Sequence, residues 1–166
     1  MRSGLKSCIG FFLLLWTGIV LPGACTCKGG GGMISEMREF DSFFSTHVDS
    51  VATAPRRMRT QVLQRMKAVK DSLVRYNYLS VALKTCLATS DIDSAQLLIR
   101  EIEDFTGRQP FSHRLADLQS ECLNMKGNIY SRKGYIDSAE VCFKNAYEWR
   151  LQGTKPETVP DILINL

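Results

Sequence analysis

Proline is scarce in this chain, five residues in 166, and long stretches contain neither proline nor glycine. That scarcity favours helix, because proline removes a backbone donor and clashes with the preceding turn. Histidine is rarer still: only His47 and His113 are present, leaving little for a metal site or a general base. The cysteines Cys8, Cys25, Cys27, Cys86, Cys122 and Cys142 show no paired C-x-x-C spacing and no dense framework, so neither a zinc site nor a disulfide scaffold is expected. Charge of one sign is also lacking. The net charge is +4 with both signs mixed, too weak to expect a nucleic-acid partner. What remains is an ordinary globular composition, 45% hydrophobic and 23% charged.

The N-terminus carries Arg2 and Lys6, then an apolar run from Ile9 to Leu21. A helix of that length rises about 20 Å, short of the roughly 30 Å hydrocarbon core. A positive start with a short apolar run is the pattern of a secretory signal. Leu21-Pro-Gly-Ala-Cys25 follows and resembles a bacterial lipobox, with Pro22 and the placement of Leu21 as departures. The resemblance implies cleavage after Ala24, acylation of Cys25 and a signal peptide over residues 1–24. Export then places the chain on the periplasmic or surface side of a bacterial cell envelope, held to the membrane by lipid. Residues 25–32, ending in Gly29–Gly32, read as a flexible tether. They lie between no strand and helix, so they are no phosphate cradle.

Residues 33–75 read as an N-terminal helical region. Ile34, Met37, Phe40 and Phe43 recur at helical spacing, and Ser45–Ala54 reads as a break. Pro55 suits a helix start. Met58, Val62, Met66, Val69 and Leu73 then form one stripe on an expected helix from Pro55 to Arg75. Its other face carries Arg56, Arg57, Arg59, Arg65, Lys67, Lys70 and Arg75 against the single acid Asp71. Such a face is either a solvated surface or a membrane-surface adaptor for anionic lipid.

The string Ile-Asp-Ser-Ala occurs at Ile92–Ala95 and again at Ile136–Ala139. Asp93 with Gln96, and Asp137 with Glu140, have capping-box spacing. Around the second copy, counted from Ser120, stand Leu123, Gly127, Tyr130, Gly134, Ala139, Phe143 and Ala146. The first copy aligns Leu79, Leu83, Cys86, Ser90, Ala95, Ile99 and Ile102. In the second, Gly127 and Ala139 would let two helices approach, and Gly134 and Gly153 would end helices in left-handed geometry. Gly107 is expected to stop the helix before the connecting loop.

These residues resemble the tetratricopeptide (TPR) repeat, with copies at 76–109 and 120–153 and a truncated third from about 158. Leu163 and Leu166 match that third copy. The resemblance implies an all-α fold: antiparallel helical hairpins forming a short solenoid over 76–166. The unfinished third copy suggests the N-terminal part of a longer scaffold or sensor. The resemblance also implies a concave groove lined by Asn77, Ser80, Lys84, Leu87 and Ala88, then by Glu121, Asn124, Asn128, Ser131 and Arg132. Such a groove would take a protein or peptide partner, since amides four residues apart on a helix can both donate and accept. No cofactor is expected. Catalysis through Cys86, Cys122 or Cys142 with a histidine is the weaker reading, because buried cysteines ordinarily pack as small hydrophobes. Cys122 and Cys142 fall on the two helices of one hairpin, where a disulfide would be possible.

Overall fold

A computed structural model describes residues 30–154 and residue 156. The expected signal peptide, Cys25 and the expected third repeat from about 158 lie outside the described residues. Within them every regular element is a helix: α1 (Gly30–His47), α2 (Ser50–Thr53), α3 (Pro55–Met66), α4 (Ser72–Ala88), α5 (Ile92–Thr106), α6 (His113–Arg132) and α7 (Ile136–Leu151).

Three helix starts are fixed by local chemistry. The side chains of Asp71, Asp91 and Ser112 accept hydrogen bonds from the backbone N–H of Val74, Ser94 and Leu115. Each satisfies an amide that the first turn leaves unpaired. The expected caps at Asp93 and Asp137 are corrected here. Asp91 caps α5, Tyr135 stands at the start of α7 with no side-chain cap, and Asp93 and Asp137 fall inside the first turns. There their charge still favours the positive end of the helix dipole.

Three further boundaries differ from expectation. The break expected over 45–54 is largely helical, since α1 runs to His47 and α2 covers Ser50–Thr53. The stripe from Met58 to Leu73 is one face in sequence, but α3 ends at Met66 and a turn at 67–71 reverses the chain into α4. Of the tether expected over 25–32, residues 30–32 belong to α1 instead, and 25–29 lie outside the described residues.

Helix α4 is the axis of the molecule, packing against α1, α2, α3, α5 and α6. One side places Leu79, Leu83, Cys86 and Leu87 in a core shared with α5 and α6, including Ile99, Ile102, Leu118 and Cys122. The other places Val74, Tyr78, Val81 and Ala82 in a second core with Met37, Phe40 and Phe43 of α1 and Met58 and Val62 of α3. A helix covered on most sides is apolar nearly all round, as Leu79-Ser-Val-Ala-Leu83 is. Tyr78 joins the aromatic set, edge-on to Phe40 at 4.9 Å between ring centres.

The α4–α5 and α6–α7 hairpins turn in the same way. Asp91 N–H bonds Cys86 O at 2.8 Å, and Tyr135 N–H bonds Tyr130 O at 2.9 Å. Ser90 N–H bonds Leu87 O, and Gly134 N–H bonds Ser131 O. Between each pair of helices sits one left-handed residue, Ser90 at φ 57° and Gly134 at φ 79°. The duplicated sequence is thus a duplicated helix-ending turn. Gly153 departs from expectation: among the described glycines only Gly134 has a positive φ. Gly107 does follow the last residue of α5, in ordinary right-handed geometry.

Serine in the left-handed region carries a penalty that glycine does not. Ser90→Gly is therefore expected to stabilise the fold by roughly 0.5–1 kcal/mol, after the entropy that glycine loses on folding is subtracted. A higher urea midpoint with unchanged slope is the expected result.

Candidate functional site

One face of the molecule is built by α1, α4 and α6 together. A cavity of about 170 Å³ opens there, lined by Asn77, Ser80, Val81 and Lys84 of α4, by Phe40, Asp41 and Phe44 of α1, and by Arg114, Asp117 and Glu121 of α6. Arg150, near the end of α7, also reaches it. Four expected groove residues, Asn77, Ser80, Lys84 and Glu121, are therefore brought together.

The other groove candidates sit elsewhere. Asn124 and Asn128 are half-buried further along α6; seven residues of helix place Asn128 about 10 Å from Glu121. Ser131 is exposed near the end of α6. Arg132 donates to Leu87 O at 2.9 Å, where a cation favours the negative end of α4. Leu87 is a core residue, 6% exposed, and Ala88 lies at the exposed end of α4.

Charges in the cavity are matched in pairs. Lys84 Nζ lies 3.0 Å from Glu121, Arg150 Nη1 lies 3.1 Å from Asp117 and Arg114 Nη1 lies 3.4 Å from Asp41. Arg150 Nη2 also approaches Glu121, at 3.6 Å. Asp117 further accepts from Thr154 N–H and Oγ1–H, which fastens the chain just beyond α7. Lys84 Nζ stands 5.0 Å from the centre of the Phe44 ring. Arg150 Nε is buried with no protein partner. In α4, Asn77 donates to Leu73 O and Ser80 donates to Asn77 O, so both side chains are held against their own helix.

Burial is the strongest single influence on the Glu121 carboxyl and would raise its pKa. The charge and hydrogen bond of Lys84, with the charge of Arg150, outweigh it and hold the group below its ordinary value of 4.5. A depressed carboxylate contributes stability that is present above its unfolded pKa and lost as pH falls through the folded one. Stability should therefore drain as pH drops below about 4.5. Glu121→Gln should flatten that dependence in denaturation midpoints taken from pH 6 down to about 3.

Cys86, Cys122 and Cys142 are free and buried. Burial pushes the Cys122 thiol up to about 12, with a further push from the Glu103 charge. Burial also raises the thiols of Cys86 and Cys142. Thiols held protonated are poor nucleophiles. His47 bonds Phe43 O and His113 bonds Gln152 O. Among the described residues no group of three His, Cys, Asp or Glu side chains could hold a metal ion. Nor is any described helix long and apolar enough to cross a membrane.

The sequence reading missed Phe40, Asp41, Phe44, Arg114, Asp117 and Arg150. Three of these are on helix positions that could have been extrapolated: Arg114 and Asp117 lie seven and four residues before Glu121 on α6, and Arg150 lies one turn beyond Ala146 on α7. The repeat was counted from Ser120, whereas the Ser112 cap starts α6 at His113. The α1 residues carried no such signal, since only folding lays α1 beside α4. A larger cleft of about 530 Å³ lies between α1 and α3, lined by Glu36, Phe43, His47 and Tyr78 among others. The protein's own Arg65 reaches into it, over the Phe43 ring at 4.4 Å and bonded to Glu39 at 3.1 Å.

No family model matches this chain, and neither does any curated protein or solved structure.

Proposed function

We propose that this chain is a protein-interaction module of a bacterial cell-envelope lipoprotein, with tetratricopeptide-like hairpins and no catalytic role. Acylation of Cys25 holds it to the membrane on the periplasmic or surface side. The face formed by α1, α4 and α6 takes a segment of a protein partner, as part of a scaffold or sensor. The observation that carries this reading is the convergence of Asn77, Ser80, Lys84 and Glu121 on one open cavity. With Asn77 and Ser80 each donating one hydrogen bond to α4, the Asn77 amide oxygen and second N–H and the Ser80 oxygen suit an extended main chain, which offers donors and acceptors without net charge. The pairing of Lys84, Arg114 and Arg150 with carboxylates argues against capture of a bare terminal carboxylate.

A photo-crosslinking residue tests this in cells. Placed at Asn77, it should trap one defined partner, whereas the same residue at exposed Glu140 on α7 should not. Asn124→Ala with Asn128→Ala should weaken the capture if the groove continues along α6. Equal crosslinking from Asn77 and Glu140 would reject the face. Separately, a Cys25→Ala chain that stays in the lipid-anchored membrane fraction would reject the acylation.

A further inference from the structure

The turn between α3 and α4 sits where a membrane tether would emerge. Glu36, in the second turn of α1, accepts hydrogen bonds from the backbone N–H of Lys70 at 3.2 Å and Asp71 at 2.9 Å. The N-terminus of α1 at Gly30 is six residues from Glu36, about 9 Å of helix. Gly30 stands five positions beyond Cys25, a reach of at most about 18 Å fully extended. An anchor at Cys25 therefore lies within roughly 27 Å of the Glu36 contact with residues 70–71. The long glycine tether expected from the sequence would have let the domain turn freely; the early start of α1 removes much of that freedom.

That turn is basic and exposed. Lys67, Lys70 and Arg75 are all exposed, and among the described residues none is within 4.0 Å of a carboxylate. Of the nearby acids, Glu36 bonds the backbone amides of Asp71 and Lys70 and is held below its ordinary pKa by those bonds, with a smaller contribution from the Lys70 charge; Asp71 bonds Val74 N–H and Glu39 pairs with Arg65. Leu63, one helical turn before Lys67, is 37% exposed. Helices α5 and α7 are more mixed in charge, with exposed Glu101 and Asp104 beside Arg100 on α5, and exposed Asp137, Glu140 and Glu148 beside Lys144 on α7.

We propose that the Lys67–Lys70 turn, with Arg75 and Leu63, is a docking surface for an anionic bilayer. This rests on membrane attachment through the N-terminal segment, by an acyl group on Cys25 or by the apolar run before it. The apolar stripe of α3 plays no part, because Met58 and Val62 are fully buried in the core. The contact is electrostatic, made by cations held within about one Debye length of the lipid surface.

Hydrogen exchange tests it on the full chain, inserted through its own N-terminus into nanodiscs of phosphatidylcholine with or without phosphatidylglycerol. Exchange in residues 63–72 should slow about fivefold or more in the anionic discs at low salt. High salt should abolish the slowing. So should Lys67→Glu with Lys70→Glu, whereas Lys133→Glu should leave it intact. Unchanged exchange in the α4–α6 core checks that the double variant is folded. Equal exchange in both kinds of disc, or protection that survives the double reversal, overturns the surface. A chain that does not co-purify with the discs overturns the anchor and this surface with it. Neither result touches the partner-binding face.

Discussion

Gly127→Leu should lower the melting temperature by about 4–8 °C, corresponding to a net loss of about 2 kcal/mol or more. Local preference points the other way, since leucine is a better helix former than glycine by nearly 1 kcal/mol. The tertiary contact decides. A β-carbon at Gly127 would lie 2.7 Å from Cδ1 and 2.9 Å from Cζ of the Phe143 ring, and closer still to Cε1. Phe143 is 3% exposed and packs where α6 and α7 meet, so it has little room to retreat. The pair is therefore coupled. Phe143→Ala alone should also destabilise, but adding it to Gly127→Leu should restore part of the loss. Simple additivity of the two changes would show that the ring and the glycine are not in contact. The measurement bears on the repeat itself, because this small-against-aromatic contact is what draws the second hairpin shut.

Arg150→Ala is expected to cost about 3 kcal/mol, an effect of the charges it leaves behind more than of the lost contacts. The Arg150 side chain is 10% exposed, and its partners Asp117 and Glu121 are 17% and 21% exposed. Without the guanidinium, Asp117 keeps Thr154 and Glu121 keeps Lys84. These remaining partners hold the expected cost near the lower end for a broken buried ion pair. Replacing the group as a unit, Arg150→Met with Asp117→Asn, should lose less than Arg150→Ala alone, since no buried charge is orphaned. Urea denaturation of the two variants at neutral pH separates the cases. If the double variant is the less stable, the pair contributes net stability beyond neutralising its own members. The same network walls the cavity of the α1, α4 and α6 face, so these variants also ask whether that wall must be rigid to bind.

Much of the fold could be read along the chain. The steps of four between Met58, Val62 and Met66, and the recurrence of Ile-Asp-Ser-Ala, are local signals carried by residues close together in the chain. Gly134 at φ 79° was foreseen for the same reason: a left-handed helix end needs a residue without a β-carbon, and glycine is written in the sequence. Its counterpart Ser90 adopts the same geometry without the glycine; the paired hydrogen bonds of the turn impose it. The residues of the first repeat that pack inward, Leu79, Leu83, Cys86, Ala95, Ile99 and Ile102, are all buried. Leu123 and Tyr130 of the second remain half-buried, since among the described residues no helix packs beyond α7.

The sequence by itself determined the helical class, the two hairpins, and the basic character of residues 55–75, because propensity, periodicity and charge act over a few residues. Only the tertiary structure decided where that basic stretch breaks, that α1 lies beside α4 and α6, and that Lys84, Arg114 and Arg150 meet their carboxylates. Those outcomes depend on residues far apart in the chain. Glu36 helps to fix the turn at 70–71 from about 35 positions away, and Asp41 reaches Arg114 across 73. No local pattern records which distant partner will satisfy a buried charge or an unpaired amide; that is settled when the helices pack.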